Sequence, residues 1–342
     1  MTERERMTGP DQTAAAAAAV RAGDESGFNS LAKQHSGELL VHCYRMLGSL
    51  HDAEDAVQET FMRAWQYRES LKGDASLRAW LYRIATNASL DAIARDRRRA
   101  ELAGTANDAS AGDPQTLAEV TWLQPIPDAL LGPDGIVLTK ETIELAFLTL
   151  IQLLTPQQRG ALLLRDVLGW SAKETAELLE VSVAAVNSAL QRARATLRAH
   201  LPTRKAQWPA GVDATAAERE LLRKYIEASE TPDLSGFTSI IREDALFRMP
   251  PDPRIVVGRD AMIRFWADGG FGSEAFGRIR CVVTRANRQP AVANYLLAKG
   301  DSVYRPMSLD VLRIEEGTIT EIITFAPDVF DAFGLPQVLQ TP

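Results

Sequence analysis

TPQQRGALLLRDVLGWSAKETAELLEVSVAAVNSALQRARATLR, residues 155–198, decides the reading of this chain. Thr155 stands where a helix N-cap belongs, Pro156 at the first helical position, and Gln158 where a capping box places its amide. Ser171 and Glu174 repeat the device. After Leu178 and Leu179, the break Glu180-Val181-Ser182 offers Ser182 as the cap of a third helix running to about Arg198. Helices joined by two such turns read as a helix-turn-helix. On the third helix Val186, Leu190, Ala193 and Leu197 recur at helical spacing and are expected in the core, so Ala184, Ser188, Gln191 and Arg192 project from the opposite side. Small residues near a helix start allow close approach to base edges, and amide and guanidinium groups carry the hydrogen-bonding geometry read in a major groove. From Val181 to Lys205 there is no Asp or Glu, whereas Arg192, Arg194, Arg198, Arg204 and Lys205 attract phosphate. Duplex DNA is the expected partner. The alternative is a solvated basic face on a structural hairpin.

Working outward, 342 residues at 46% hydrophobic and 24% charged suffice for two or three compact domains and exclude a disordered chain. A net charge of -7 excludes a general nucleic-acid coat protein, so DNA contact has to rest on local basic patches. Cys43 and Cys281 are too few and too far apart for a disulfide framework or a zinc site, which fits a reducing cytoplasm; no metal, cofactor or catalytic residue is expected. The start, with mixed charge and an alanine run from Ala14 to Ala19, is unlike a secretory signal, and residues 1–23 read as a flexible tail. No apolar run is long enough to cross a bilayer.

Residues 24–99 read as helical throughout, with one break around Gly73. Val57, Phe61 and Trp65 follow at four-residue steps and are expected to be buried, while Asp52, Asp55 and Glu59 form an acidic face that repels DNA and suits a basic protein partner. An ordinary solvated face is the alternative. Further on, Trp80, Leu81, Ile84, Ala88 and Ile93 make an apolar stripe opposite a surface carrying Arg83, Asn87, Arg95, Arg97, Arg98 and Arg99. Aromatics beside a cationic groove grip unpaired DNA, although core packing is the preferred role for Trp65 and Trp80.

HDAEDAVQETFMRAW at 51–65, followed by LRAWLYRIATNA at 77–88, resembles the second conserved region of sigma-70-type factors, and residues 155–198 resemble the fourth. With no third-region domain between them, the chain resembles the extracytoplasmic-function group of bacterial RNA polymerase sigma factors. The resemblance implies two all-α domains, at 24–99 and 141–201, and gives Asp52, Asp55, Gln58 and Glu59 a partner in the clamp helices of the polymerase largest subunit. It implies that the loop at about Tyr67 to Ser76 captures a base flipped from the melted −10 element, with Arg83 and Asn87 on the nontemplate strand and Arg95, Arg97 and Arg98 supplying charge. It implies that Ser188, Gln191 and Arg192 meet the bases of the −35 duplex, with Arg194 and Arg198 nearer phosphates. Nucleotide addition would belong to the polymerase core, so the chain is not expected to be an enzyme.

Residues 100–140 contain no Lys or Arg from Ala100 through Thr139 and read as an acidic linker, with Trp122-Leu-Gln-Pro-Ile-Pro-Asp128 adding anchors and stiff turns. In related factors this segment threads the polymerase cleft; a solvated tether is the alternative. Residues 202–212 are the expected joint to a further domain at 213–335. There Ala214 to Ser229 reads as an amphipathic helix and Gly258 to Trp266 as a short one. Leu246–Met249, Arg278–Thr284, Ala291–Ala298, Met307–Ile314 and Thr318–Phe325 read as strands, with a hairpin at Glu316-Gly317. This α+β pattern resembles the SnoaL-like cone-shaped fold with a curved antiparallel sheet, a domain that a subset of these sigma factors carries. Asp252, Asp268 and Asp310 are its candidate acids, with no His after His200. The expected role is regulation in cis, with a small-molecule ligand or regulatory protein as further partner. A ligand-responsive helix-turn-helix regulator that is not a sigma subunit is the rival reading.

Overall fold

A computed structural model describes residues 18, 20–71, 77–102, 123–131, 144–200, 216–231, 233–273 and 275–341. The alanine run apart from Ala18, the break around Gly73, most of the linker including Trp122, and the joint at 202–212 lie outside them. The chain divides into two units, one of residues 1–112, 131–137 and 150–201, the other of residues 113–130, 138–149 and 202–342.

In the first unit the leading helices are α1 (Glu25–Leu47), α2 (Leu50–Gln66) and α3 (Leu77–Leu102). Asp24 caps α1 by accepting the Ser26 N–H at 3.0 Å. A second break, not anticipated from sequence, separates α1 from α2. Gly48 adopts φ +78°, the left-handed turn that ends a helix, and Ser49 then caps α2 through the Asp52 N–H at 3.2 Å. Of the three residues expected inside α2's buried stripe, Val57 is buried while Phe61 and Trp65 are half-buried. Their rings rest against Phe28, at centroid distances of 6.2 and 5.1 Å, near the start of α1.

Farther along come α4 (Leu145–Gln152), of which the residues to Thr149 belong to the second unit, α5 (Pro156–Leu162, continued by a π turn to Val167), α6 (Ala172–Leu178) and α7 (Val183–His200). Both capping boxes form: Gln158 N–H donates to Thr155 Oγ1 at 3.3 Å, Glu174 N–H to Ser171 Oγ at 3.2 Å, and each acid or amide side chain answers its cap's backbone. Ser182 accepts the Ala185 N–H at 3.1 Å as the expected cap of α7. Arg159 on α5 is buried, and its guanidinium donates to the carbonyls of Ile151, Gln152 and Leu154, and also to Met46 at the end of α1. It thereby satisfies helix-terminal carbonyls that have no intrahelical partner. Burial lowers its pKa to about 10, which leaves it charged at neutral pH.

The second unit is built on α8 (Ala216–Glu230), α9 (Leu234–Thr238), α10 (Arg259–Asp268) and the strands β1 (Ile241–Met249), β2 (Asp252–Val257), β3 (Arg278–Ala286), β4 (Gln289–Leu297), β5 (Val303–Glu315), β6 (Thr318–Phe325) and β7 (Leu339–Gln340). The sheet order is β2-β1-β6-β5-β4-β3, with β7 on β5. It corrects the antiparallel expectation at one place: β1 runs parallel to β6, pairing Phe247 with Ile322. β1 also starts earlier than Leu246, and β2 was not anticipated because Pro251 and Pro253 sit at its start. Leu221 and Tyr225 of α8, Phe237, Phe247, Met262 and Leu312 share one core.

Within this unit residues 123–130 are fastened to the β3–β4 turn. Ile126 N–H donates to Asn287 Oδ1 at 3.0 Å, Asn287 N–H returns to Ile126 O at 2.9 Å, and Pro127 bridges Ala286. The Asp128 carboxylate accepts the Arg288 N–H at 2.7 Å and Arg285 Nε at 3.1 Å. The turn suits this contact because Asn287 and Arg288 both take positive φ, 55° and 61°, as a two-residue hairpin requires.

Candidate nucleic-acid interface

On α2, Asp55 and Gln58 are exposed, and Asp52 and Glu59 are half-buried on the same side. Asp52 sits in the first turn, where the positive end of the helix dipole favours an acid. Glu59 accepts from Arg63 Nε at 2.6 Å, and Arg63 Nη1 continues to Asp91 on α3 at 2.7 Å. Met62, 61% exposed, extends this face. It is an apolar contact within a charged surface, and the acidic spacing alone did not single it out.

α3 divides the residues assigned to the −10 element. Arg83 is exposed and Asn87 half-buried one turn later; with Tyr67, Ser70 and Trp80 they line a cavity of about 570 Å³. Trp80 is half-buried, its Nε1 3.4 Å from Ser70 Oγ, so it faces this cavity rather than lying inside the core. Arg95 and Arg98 instead line a separate cleft with Glu59, Arg63 and Asp91. Arg97 is exposed. Sequence reasoning missed three residues of the first cavity: Trp170, Glu174 and Glu177 line it from the helix-turn-helix, and the Trp170 ring lies 6.4 Å from that of Tyr82. The one signal for them was a tryptophan placed in a turn beside Gly169, with φ +72°.

On α7 the buried stripe is Val186, Ala189, Leu190, Ala193 and Leu197, and Ala184, Ser188, Gln191, Arg192 and Arg198 are exposed, as their spacing predicts. Arg194 differs from its neighbours. Its Nε and Nη2 bind the two oxygens of Asp166 at 2.9 and 2.6 Å in a forked pair, which tethers α7 to the π turn and offsets the charge. The bond to Asp166 raises the arginine's pKa further.

Of the three candidate carboxylates of the second unit, Asp252 and Asp310 line one cavity and Asp268 does not. Asp268 is exposed, Asp252 is paired with Arg254, and Asp310 is buried. Among the described residues no group of three or more His, Cys, Asp or Glu side chains is placed to hold a metal ion, and no helix is long and apolar enough to cross a membrane.

Comparison with known proteins matches residues 31–99 to the family described as Sigma-70 region 2, residues 144–197 to Sigma-70, region 4, and residues 222–322 to the SnoaL-like domain. The ECF RNA polymerase sigma factor SigG of Mycobacterium tuberculosis is 39% identical over 318 residues, which span 91% of this chain and 85% of that protein. The ECF RNA polymerase sigma factor SigW of Bacillus subtilis is 30% identical over 188 residues, 53% of this chain and 92% of its own length. The crystal structure of the M. tuberculosis extracytoplasmic function sigma factor SigJ has the same fold, with a TM-score of 0.60 at 24% identity, covering 90% of this chain and 99% of that one.

Proposed function

Since this chain belongs to the extracytoplasmic-function group of RNA polymerase sigma factors, we propose how its residues divide the work of directing core polymerase to promoters. Residues 24–99 serve the −10 element and the polymerase, 100–140 link, 141–201 serve the −35 element, and 202–212 join a regulatory domain at 213–335. Asp52, Asp55, Gln58 and Glu59 dock on a basic surface of the polymerase, with Met62 as their apolar contact. Arg83 and Asn87 hold the unpaired −10 strand beside Trp80 and Tyr67, where a base has both an aromatic face and hydrogen-bonding partners. Arg95, Arg97 and Arg98 contribute charge farther along α3. Ser188, Gln191 and Arg192 read −35 base edges, and Arg198 and, once freed from Asp166, Arg194 contact phosphates. The chain itself performs no catalysis and works in the cytoplasm.

The observation that carries this reading is the occurrence in one unit of two surfaces for two forms of DNA, the aromatic cavity that Arg83 and Asn87 of α3 line and the acid-free face of α7. A simple repressor has use for the second alone. The C-terminal domain acts in cis, answering to a small-molecule ligand or a regulatory protein. What supports this is that residues 123–130, part of the linker between the two sigma regions, are hydrogen-bonded to the β3–β4 turn. Reconstituted transcription from a selected promoter, comparing the full chain with one ending near Arg204, tests both statements. Promoter-specific transcript from either chain is expected, with a ratio between them different from one. Duplex binding without transcript from either would favour the conventional regulator, and equal transcript would end the cis reading.

A further inference from the structure

Three residues of the helix-turn-helix, Trp170, Glu174 and Glu177, share the walls of the 570 Å³ cavity with Trp80, Arg83 and Asn87 of α3. Their placement is fixed locally. Trp170 follows Gly169 at φ +72°, its N–H donates to the Leu164 carbonyl at 2.9 Å, and its own carbonyl accepts from Arg165 Nη1. The indole is half-buried, 6.4 Å from the ring of Tyr82 on α3. Glu174 is oriented by its capping box, accepting the Ser171 N–H at 2.8 Å, and Glu177 stands three residues on, on the same side of α6; both are exposed. A second hold joins the same elements. The buried Arg159 of α5 donates to the Met46 carbonyl at the end of α1.

Charge decides what this arrangement does to a nucleic acid. The charged side chains on the walls are Arg63, Arg83, Glu174 and Glu177. Arg63 is already answered by Glu59 and Asp91, so a phosphate flanking a base in the cavity meets Arg83 against two carboxylates. A polyanion is not drawn into such a site. Promoter binding also has no use for it. The −35 and −10 elements lie about 25 base pairs apart, roughly 85 Å of duplex at about 3.4 Å per pair. A helix-turn-helix seated on the first cannot at the same time wall a cavity that holds the second. We propose that α6 is an autoinhibitory cover of the −10 cavity: in the free chain Trp170 seats it against α3, Glu174 and Glu177 repel the unpaired strand, and the strand gains the cavity only when α6 withdraws. The proposal rests on the reading that Arg83, Asn87, Trp80 and Tyr67 hold that strand, and it adds what keeps the strand out beforehand.

The test is fluorescence anisotropy at low salt with a dye-labelled single strand carrying the −10 nontemplate sequence of the selected promoter, read with the full chain alone and with holoenzyme. Glu174→Gln combined with Glu177→Gln removes both charges and keeps the capping box, because glutamine fills that position as Gln158 does in α5. Without polymerase this variant is expected to bind the strand about tenfold tighter than the unaltered chain, with an unchanged thermal midpoint. In holoenzyme, where α6 has withdrawn, the two are expected to agree within about twofold. Glu25→Gln combined with Glu180→Gln neutralises two exposed carboxylates of the same unit outside the cavity, and is expected to change neither affinity. Equal affinity of the variant and the unaltered chain, an equal gain from the second pair, or a gain that persists undiminished in holoenzyme would each overturn the proposal. Adding Arg83→Ala to the tighter variant is expected to cancel its gain. A gain that survived Arg83→Ala would put the strand outside the cavity and overturn the −10 reading together with the proposal built on it, a failure distinct from the other three.

Discussion

Along α7 three residues with similar exposure are expected to behave differently on DNA, because their surroundings differ. Gln191 is exposed and carries an amide able to pair with a base edge, so Gln191→Ala is expected to weaken a cognate −35 duplex by about 1–3 kcal/mol while leaving random duplex nearly unchanged. Arg198 is exposed on the same helix, and Arg198→Ala is expected to weaken all sequences alike and to lower the slope of log affinity against log salt by about one. Arg194 enters the comparison already paired with Asp166, so Arg194→Ala should lower that slope less than Arg198→Ala does. Fluorescence anisotropy across a salt series separates the three. Equal slopes for the two arginine variants would mean that the Asp166 pair opens on DNA. The exposure of this face was legible in the spacing of Val186, Leu190, Ala193 and Leu197. The Asp166 pair was not, because a contact across 28 residues depends on how the π turn aims a side chain.

Helix ends and turns carry the next set of consequences. Gly48 closes α1 at φ +78°, and a Cβ there would lie 3.0 Å from Gln152 Nε2, itself hydrogen-bonded to the Arg45 carbonyl at 3.4 Å. Gly48→Ala is therefore expected to destabilise the first unit by about 1–2 kcal/mol in denaturant titration, through both backbone strain and crowding. Sequence reasoning passed over this break because the apolar pattern runs on through Leu47 and Leu50, and only the glycine marks the change of direction. Capping boxes, in contrast, announce themselves locally, and both appear where Thr155 and Ser171 place them. The linker was legible as acidic and as carrying anchors, but the partner of Asp128 lies 157 and 160 residues away in the β3–β4 turn. Asp128→Ala removes the acceptor of the Arg288 N–H and of Arg285 Nε. Hydrogen exchange at the Ile126 and Asn287 amides is expected to speed up at least several-fold, while exchange in β5 and β6 stays unchanged. Unaltered exchange at Ile126 would place the hold on this segment in Pro127 and the apolar burial of Ile126 instead.

Taken as a whole molecule, the two units are expected to answer acid with opposite sign, because each buries a different kind of titratable group. In the first, His42 is buried, with Nε2 2.9 Å from Thr86 Oγ1; burial and then the nearby Arg45 lower its pKa to about 3, against a weaker opposing pull from Glu38. An unfolded histidine binds its proton near pH 6.5, so between there and pH 3 the unfolded chain holds more protons than the folded one, and stability falls as pH falls. From pH 7 to pH 5 this amounts to about 2 kcal/mol. In the second unit the buried Asp310 has a raised pKa, so the folded state is the one that holds the extra proton. Its contribution is greatest below the unfolded value and is lost as pH rises through the folded one. Acidification from pH 7 to pH 5 is thus expected to lower the opening free energy read by hydrogen exchange in α1 and α3, and to leave that in β4 and β5 unchanged or higher. His42→Gln, which keeps a polar partner for Thr86 without a group titrating in this range, should remove most of the pH dependence in α1 and α3. If that slope persisted in the variant, the acid sensitivity of the first unit would have to come from groups other than His42.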